Sequence, residues 1–207
     1  PKPSSAASDV YKRQPLGRSA VSLQLLGLHQ IPNALAAAAV GFAVGLSTES
    51  ISAALSTAEN KSKWRMELEE LSETLLINDC YNANPESVIA ALRTLALLTQ
   101  ERGGSSWAIL GKMHELGESS ASEHARVGKI AHDIEIDHLL AVGEPTYLSD
   151  IESGETMAVS LLSKDQVGEY IQHFQPGDVV LVKASRAEKF ETIVDEIRKV
   201  LKERSAL

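Results

Sequence analysis

The sequence predicts an α/β protein: a mostly parallel sheet with helices on both faces. Apolar runs of roughly four to six residues alternate with amphipathic stretches of ten or more, the pattern of repeated strand–helix units. The runs at 74–77, 107–110, 138–142 and 179–182 are close to continuously apolar, as strands covered on both sides must be. Gly111 and Gly143 close two of these runs, and Asn78-Asp79 closes a third.

Residues 1–14 are polar and Ser/Ala-rich and are read as a disordered leader or an artefact, not as a secretory signal. Val21, Leu23 and Leu25 alternate with Ser22 and Gln24, predicting a half-buried strand that ends at Gly27. Pro32 suits the first turn of a helix, where its missing N–H costs little, and that helix runs to Gly45. Ser47 is a candidate N-cap for a second helix, with Ile51, Ala54 and Leu55 on one face. The polar stretch 59–63 reads as a linker.

Beyond Arg65 the repeated units begin. Residues 66–70 alternate as a strand, and 74–77 form a short apolar one. Asn84 caps a helix with Pro85 at its first position, and Val88, Ala91, Leu92 and Leu95 line one face. After the strand at 107–110, Ser120 and Glu123 form a capping-box pair ahead of Val127, Ile130, Ala131 and Ile134. The strand 138–142 follows, then a weaker one at 157–159. Ser163 and Gln166 make a second capping-box pair before Val167, Tyr170, Ile171 and Phe174. Residues 175–178 are a turn into the most apolar strand. The last helix shows the clearest period, with Phe190, Ile193, Val194, Ile197 and Leu201 on one side.

Bulk properties narrow the function. A chain of 207 residues with 43% hydrophobic content can bury a sizeable core. The formal charge of -8 argues against nucleic-acid tracking and against an anionic membrane surface. Cys80 is the one cysteine, so no intrachain disulfide forms, which fits a cytoplasmic setting. No apolar run approaches the ~20 residues of a membrane helix.

Ligands of such sheets sit beyond the carboxyl ends of the strands, so the loops after Asp79, Gly111 and Lys183 are the informative ones. No G-x-G-x-x-G follows a strand. Gly111-Lys112 and Gly128-Lys129 are followed by Met113 and Ile130, which lack the hydroxyl a phosphate loop presents to magnesium. No zinc spacing occurs. The most polar loop is residues 78–85, with one carboxylate and three side-chain amides within seven residues. A carboxylate at the end of a buried strand can accept from paired hydroxyls, and amides can both donate and accept. Asn84 is equally an ordinary helix cap. Trp64 and Trp107 are read as packing residues, and Lys183 could face solvent at its strand end.

Four segments in order resemble the Mur ligase family. Residues 27–36 are similar to the G-x-H-[NQ]-x-x-N-A-L-A motif that closes the family's central ATPase domain. Residues 79–85 resemble D-x-Y-N-A-N-P. Residues 110–117, with His124 following, resemble L-G-D-M-x-E-L-G…H. Residues 182–186, with Glu191 following, resemble V-K-G-S-R…E. The match covers roughly residues 18–204, and the second and third motifs point to the branch that adds D-alanyl-D-alanine.

The resemblance implies a Rossmann-like third domain over 61–207, preceded at 15–60 by a strand and helices from the end of the central ATPase domain. The phosphate loop and magnesium ligands would lie ahead of residue 1, so this piece would be inactive alone. It implies ATP and Mg2+ as cofactors, and UDP-N-acetylmuramoyl-tripeptide and D-alanyl-D-alanine as substrates. The parent would be a monomer whose third domain meets its central domain. The precursor carboxylate takes the γ-phosphoryl group, and the dipeptide amine then displaces phosphate from the acyl phosphate. By this likeness His29 and Asn33 lie at the nucleotide, with the Asn33 amide suited to adenine. Asp79 lies at the ribose, and Arg65 reaches the γ-phosphate with a planar fork of donors. Tyr81, Asn82, Asn84, Lys183, Ser185 and Arg186 fall to the substrate. Two positions depart from the pattern. Lys112 replaces an acidic residue, which puts in doubt an ammonium-binding role there. Ala184 replaces glycine, so either its φ is negative or its turn is strained. A sister ligase adding another amino acid, and a non-enzymatic dipeptide- or nucleotide-binding module, remain the alternatives.

Overall fold

The computed structural model describes residues 18–24, 27, 30–58, 62–151 and 157–204. The reading of residues 1–14 and the placements of Leu25 and His29 lie outside them. The chain divides into two compact units, Pro1–Ser62 and Lys63–Leu207.

In the first unit, helix α1 spans Gln30–Ala43 and α2 spans Thr48–Ser56. The Ser47 hydroxyl accepts from the Ser50 amide at 3.2 Å, capping α2 as its sequence predicts. Gly41 lets the helices approach closely: a Cβ there would lie 3.0 Å from Ile51. Ile51 is buried and Leu55 half-buried, but Ala54 is exposed. The strand predicted at 21–25 is not found over the described residues 18–24. Instead, the Ser22 amide donates to the Ser56 hydroxyl at 3.2 Å, and the Ser52 hydroxyl donates to the Ala20 carbonyl at 2.5 Å. Alternation encodes a half-buried surface and supplies no ladder partner.

The second unit holds a six-stranded sheet in the order β1-β2-β6-β3-β4-β5. Its strands are β1 Glu67–Leu71, β2 Thr74–Asp79, β3 Ser106–Leu110, β4 His138–Val142, β5 Ala158–Leu162 and β6 Val179–Lys183. β1 pairs antiparallel with β2 at one edge; all other pairings are parallel. Helices α3 Pro85–Arg102 and α4 Ser120–Asp133 cover one face, and α5 Val167–Ile171 and α6 Glu191–Arg204 cover the other. Alternate strand residues feed the two cores: Ile77, Ala108, Leu139 and Leu181 on one side, Leu76, Ile109, Leu140 and Val180 on the other. The expected faces of α3 and α6 are buried.

Three local expectations are corrected. β2 does not stop before Asn78-Asp79 but runs through both, because β1 and β6 flank it and supply their polar partners. The pair Ser120–Glu123 makes no capping box: a 3-10 turn at Gly117–Ser119 leads straight into α4, and Ser120 already has helical φ −52° and ψ −52°. β5 extends to Leu162, the parallel ladder with β4 carrying it past the expected end. The Ser163–Gln166 capping box does form, on a 3-10 turn ahead of α5.

Candidate functional site

The order β2-β6-β3 places the carboxyl ends of three strands side by side. Asp79 registers with Lys183, and Lys183 with Leu110. β6 inserts between strands that α3 connects, so chain direction across the sheet reverses here, where such folds bind ligands. The loops singled out from the sequence therefore gather at one edge.

Asn84 shapes the first loop. Its Oδ1 accepts from the Ser87 amide at 2.9 Å, and the Ser87 hydroxyl accepts from the Asn84 amide at 3.1 Å. Asn82 Oδ1 accepts from the Ala83 amide at 2.8 Å. Both residues are exposed, and their Oδ1 atoms are engaged in shaping the loop. Tyr81 is exposed, and the Arg65 guanidinium stacks on its ring at 4.0 Å.

Lys183 does not face solvent. It is 2% exposed, and its ammonium donates to Asp79 Oδ2 at 2.5 Å and to the Asn82 carbonyl at 2.9 Å. Asp79 is 8% exposed, and its Oδ1 accepts from the Met66 amide at 3.2 Å. This buried ion pair joins the ends of β2 and β6 and holds the loop that opens the Arg65 segment into β1. Beside it, the Ser185 hydroxyl accepts from the His114 amide at 2.9 Å and donates to the Ala83 carbonyl at 3.3 Å. Ser185 thus links all three loops. Arg186 pairs with Glu191 at 2.7 Å and lies over the Trp64 ring at 4.3 Å. Burial opposes ionisation of Glu191, but the Arg186 bond, a backbone amide bond and the charges of Arg186 and Lys189 together hold the carboxyl below its ordinary range.

Ala184 is absent from the residues with positive φ, which settles the glycine replacement without backbone strain. Its methyl packs close to Gly111, where a Cβ would also fall 2.2 Å from the Phe190 ring. Lys112 lies 3.7 Å from Glu144, which follows β4. Burial pushes the Glu144 carboxyl up, yet bonds from the Thr146 hydroxyl and amide leave it below the usual range. Trp107 is a packing residue as expected: it stacks on His138 and donates to Asp178 at 2.9 Å. Trp64 also packs against the core on the α6 side, as expected, and in addition its ring carries the Arg186 guanidinium.

Sequence reasoning gave no role to His114, His124, Glu144 or Tyr147. His124 is fully buried; its Nε2 accepts from the Met113 amide at 2.9 Å, and Nδ1 donates to the Ser120 carbonyl at 2.6 Å. Tyr147 donates to the Gly111 carbonyl at 2.9 Å. His114 pairs with Glu188 at 2.5 Å, bridging the second and third loops. The signals were proximity to strand ends, which does not specify partners. In the first unit, Asn33 is exposed and its amide donates to Gln30 Oε1 at 3.0 Å. Among the described residues no group of three metal-ligating side chains occurs. No helix among them is long and apolar enough to cross a membrane. A cleft lined by His138, Tyr170 and His173 holds none of the candidate residues.

Residues 64–186 match the family described as Mur ligase, glutamate ligase domain. A UDP-N-acetylmuramoyl-tripeptide–D-alanyl-D-alanine ligase of Mycobacterium tuberculosis H37Rv is 35% identical over 199 residues, covering 86% of this chain and 39% of the relative. The crystal structure I of MurF from Acinetobacter baumannii superposes with a TM-score of 0.81 at 30% identity, covering 92% of this chain and 42% of that one. MurF ligase from Thermotoga maritima in complex with ADP gives 0.74 at 25% identity, covering 90% and 42%. The chain thus spans about two-fifths of the length of the relatives it matches.

Proposed function

Because this chain belongs to the Mur ligase family, we propose that it is the carboxyl-terminal part of a cytoplasmic, ATP-dependent ligase that joins D-alanyl-D-alanine to UDP-N-acetylmuramoyl-tripeptide during peptidoglycan synthesis. The names of the relatives support this substrate pair. The observation that carries the reading is the single sheet edge on which the Arg65, Lys183 and Arg186 loops converge around the Asp79 strand end.

Each side chain then has a task. Arg65 presents a delocalised fork to the γ-phosphate, where charge builds as the phosphoryl group moves. Asp79 offers the ribose the lone pairs that Lys183 and Met66 leave unused, since a carboxylate has about four acceptor sites. Lys183 is neutralised by Asp79, so it positions the loop, and Arg186 is the cation for the dipeptide carboxylate. Ser185 fixes the backbone around that carboxylate. Tyr81, Asn82 and Asn84 form the wall between the two subsites. His29 and Asn33 serve the adenine end. The phosphate loop and the Mg2+ ligands are assigned to the portion of the relatives that extends beyond this match.

The intact enzyme is expected to release phosphate only with ATP, the tripeptide precursor and D-alanyl-D-alanine together. Arg65→Ala should lower turnover by ~100-fold with little change in the dipeptide KM. Unchanged turnover would remove Arg65 from the γ-phosphate. Turnover with a single amino acid but not with the dipeptide would move the assignment to a sister ligase.

A further inference from the structure

Two cation–aromatic stacks meet at consecutive residues. Arg65 lies over Tyr81 at 4.0 Å, and Arg186 lies over Trp64 at 4.3 Å. Arg65 itself stands between two left-handed residues, Trp64 at φ +63° and Met66 at φ +49°. Side chains of this size rarely adopt that backbone, and they do so where the surroundings dictate it. The surroundings here are specific. The Trp64 amide donates to Glu67 Oε1 at 2.7 Å, and its carbonyl accepts from the Tyr81 amide at 3.0 Å. The Met66 amide donates to Asp79. Glu67 Oε2 accepts from Asn78 at 2.9 Å. The segment is therefore clamped to the end of β2 on both sides of Arg65, and its indole reaches across to the loop after β6.

We propose that Trp64 is a positioning residue that couples the two ends of the site. Its ring fixes the posture in which Arg186 meets a carboxylate. A shift of Arg186 toward that carboxylate repositions the indole, and because Trp64 and Arg65 are adjacent in one hydrogen-bonded segment the two residues adjust together. The inference rests on the reading of Arg186 as the dipeptide's cation. It adds that filling the dipeptide end sets the guanidinium that faces the phosphate end, so the two substrates sense each other through one side chain.

The test uses this chain labelled with 15N at arginine, following the Nε–Hε signals while D-alanyl-D-alanine is added. In the unaltered chain both the Arg186 and Arg65 signals should shift with one common saturation curve. Trp64→Phe keeps a ring and should preserve both shifts. Trp64→Gly removes the ring but suits the left-handed backbone; in it Arg186 should still shift and Arg65 should not, with dipeptide affinity lowered about tenfold. An Arg65 shift that survives in Trp64→Gly overturns the coupling, as does an Arg186 shift with no Arg65 response in the unaltered chain; either leaves the functional reading standing. If neither signal moves, Arg186 is not the dipeptide's cation, and both the reading and the inference fall.

Discussion

Lys112 reverses the charge that the family resemblance leads one to expect, and its partner is Glu144. The two face each other at 3.7 Å across the ends of β3 and β4, so this side chain pairs the two neighbouring loops. Glu144 is buried and its carboxyl is held below the ordinary range. A depressed carboxyl contributes stability that is present above its unfolded pKa, near 4.5, and is lost as pH falls through the folded value. Urea midpoints followed from pH 6 to pH 3 should therefore fall more steeply in the unaltered chain than in Glu144→Gln. Parallel curves would show that the carboxylate contributes nothing. Cys80 illustrates the opposite case. Burial, aided by the charge of Asp79, pushes its thiol up to about 12, which makes it an inert packing residue rather than a nucleophile.

Strand-end chemistry carries the element scale. Lys183 and Asp79 are the last residues of β6 and β2, and both are buried. Removing one partner leaves an uncompensated charge, which costs far more than the net worth of the pair. Lys183→Met should thus destabilise the chain by about 3 kcal/mol, and Asp79→Leu/Lys183→Met should recover part of that loss. Equilibrium urea unfolding measures both, and a double variant no better than the single would deny that the charge imbalance is the cause. The same pair explains what was legible in the sequence. Periodicity located β3, β4, β6, α3 and α6, because burial under helices on both faces leaves a continuous or 3.6-residue apolar signature. The polar ends of β2 broke that signature, although Asn78 and Asp79 lie inside the ladder. Ser120 carried the chemistry of a cap, but a preceding 3-10 turn placed it one residue inside the helix. At the site, the loops were readable from strand ends. The pairing of Lys183 with Asp79, that of Lys112 with Glu144 and the stack on Trp64 were not, because each joins residues distant in sequence.

At the scale of the whole molecule, the two units differ in what they bury. Both hydrophobic clusters of the sheet domain are built entirely from residues between Trp64 and Leu201. The buried apolar residues of the first unit are Leu23, Ala38 and Ile51 among those described. A domain is stable alone when its own core offsets the entropy of ordering its chain. The sheet domain meets that condition, with helices on both faces and its central strands β2, β6 and β3 fully buried. The three buried apolar side chains among residues described in 18–62 cannot do the same for that stretch. Residues 63–207 expressed alone should therefore fold with a stability within about 1 kcal/mol of the full chain, the range of a change that leaves the core intact. Residues 18–62 alone should show no cooperative unfolding. Urea denaturation followed by far-UV circular dichroism tests both, and tryptophan fluorescence follows the longer piece, which holds Trp64 and Trp107. A loss of several kcal/mol from the shortened chain would mean that the sheet domain depends on the preceding segment for its packing, and the division at Ser62 would not be a boundary between independently folding units.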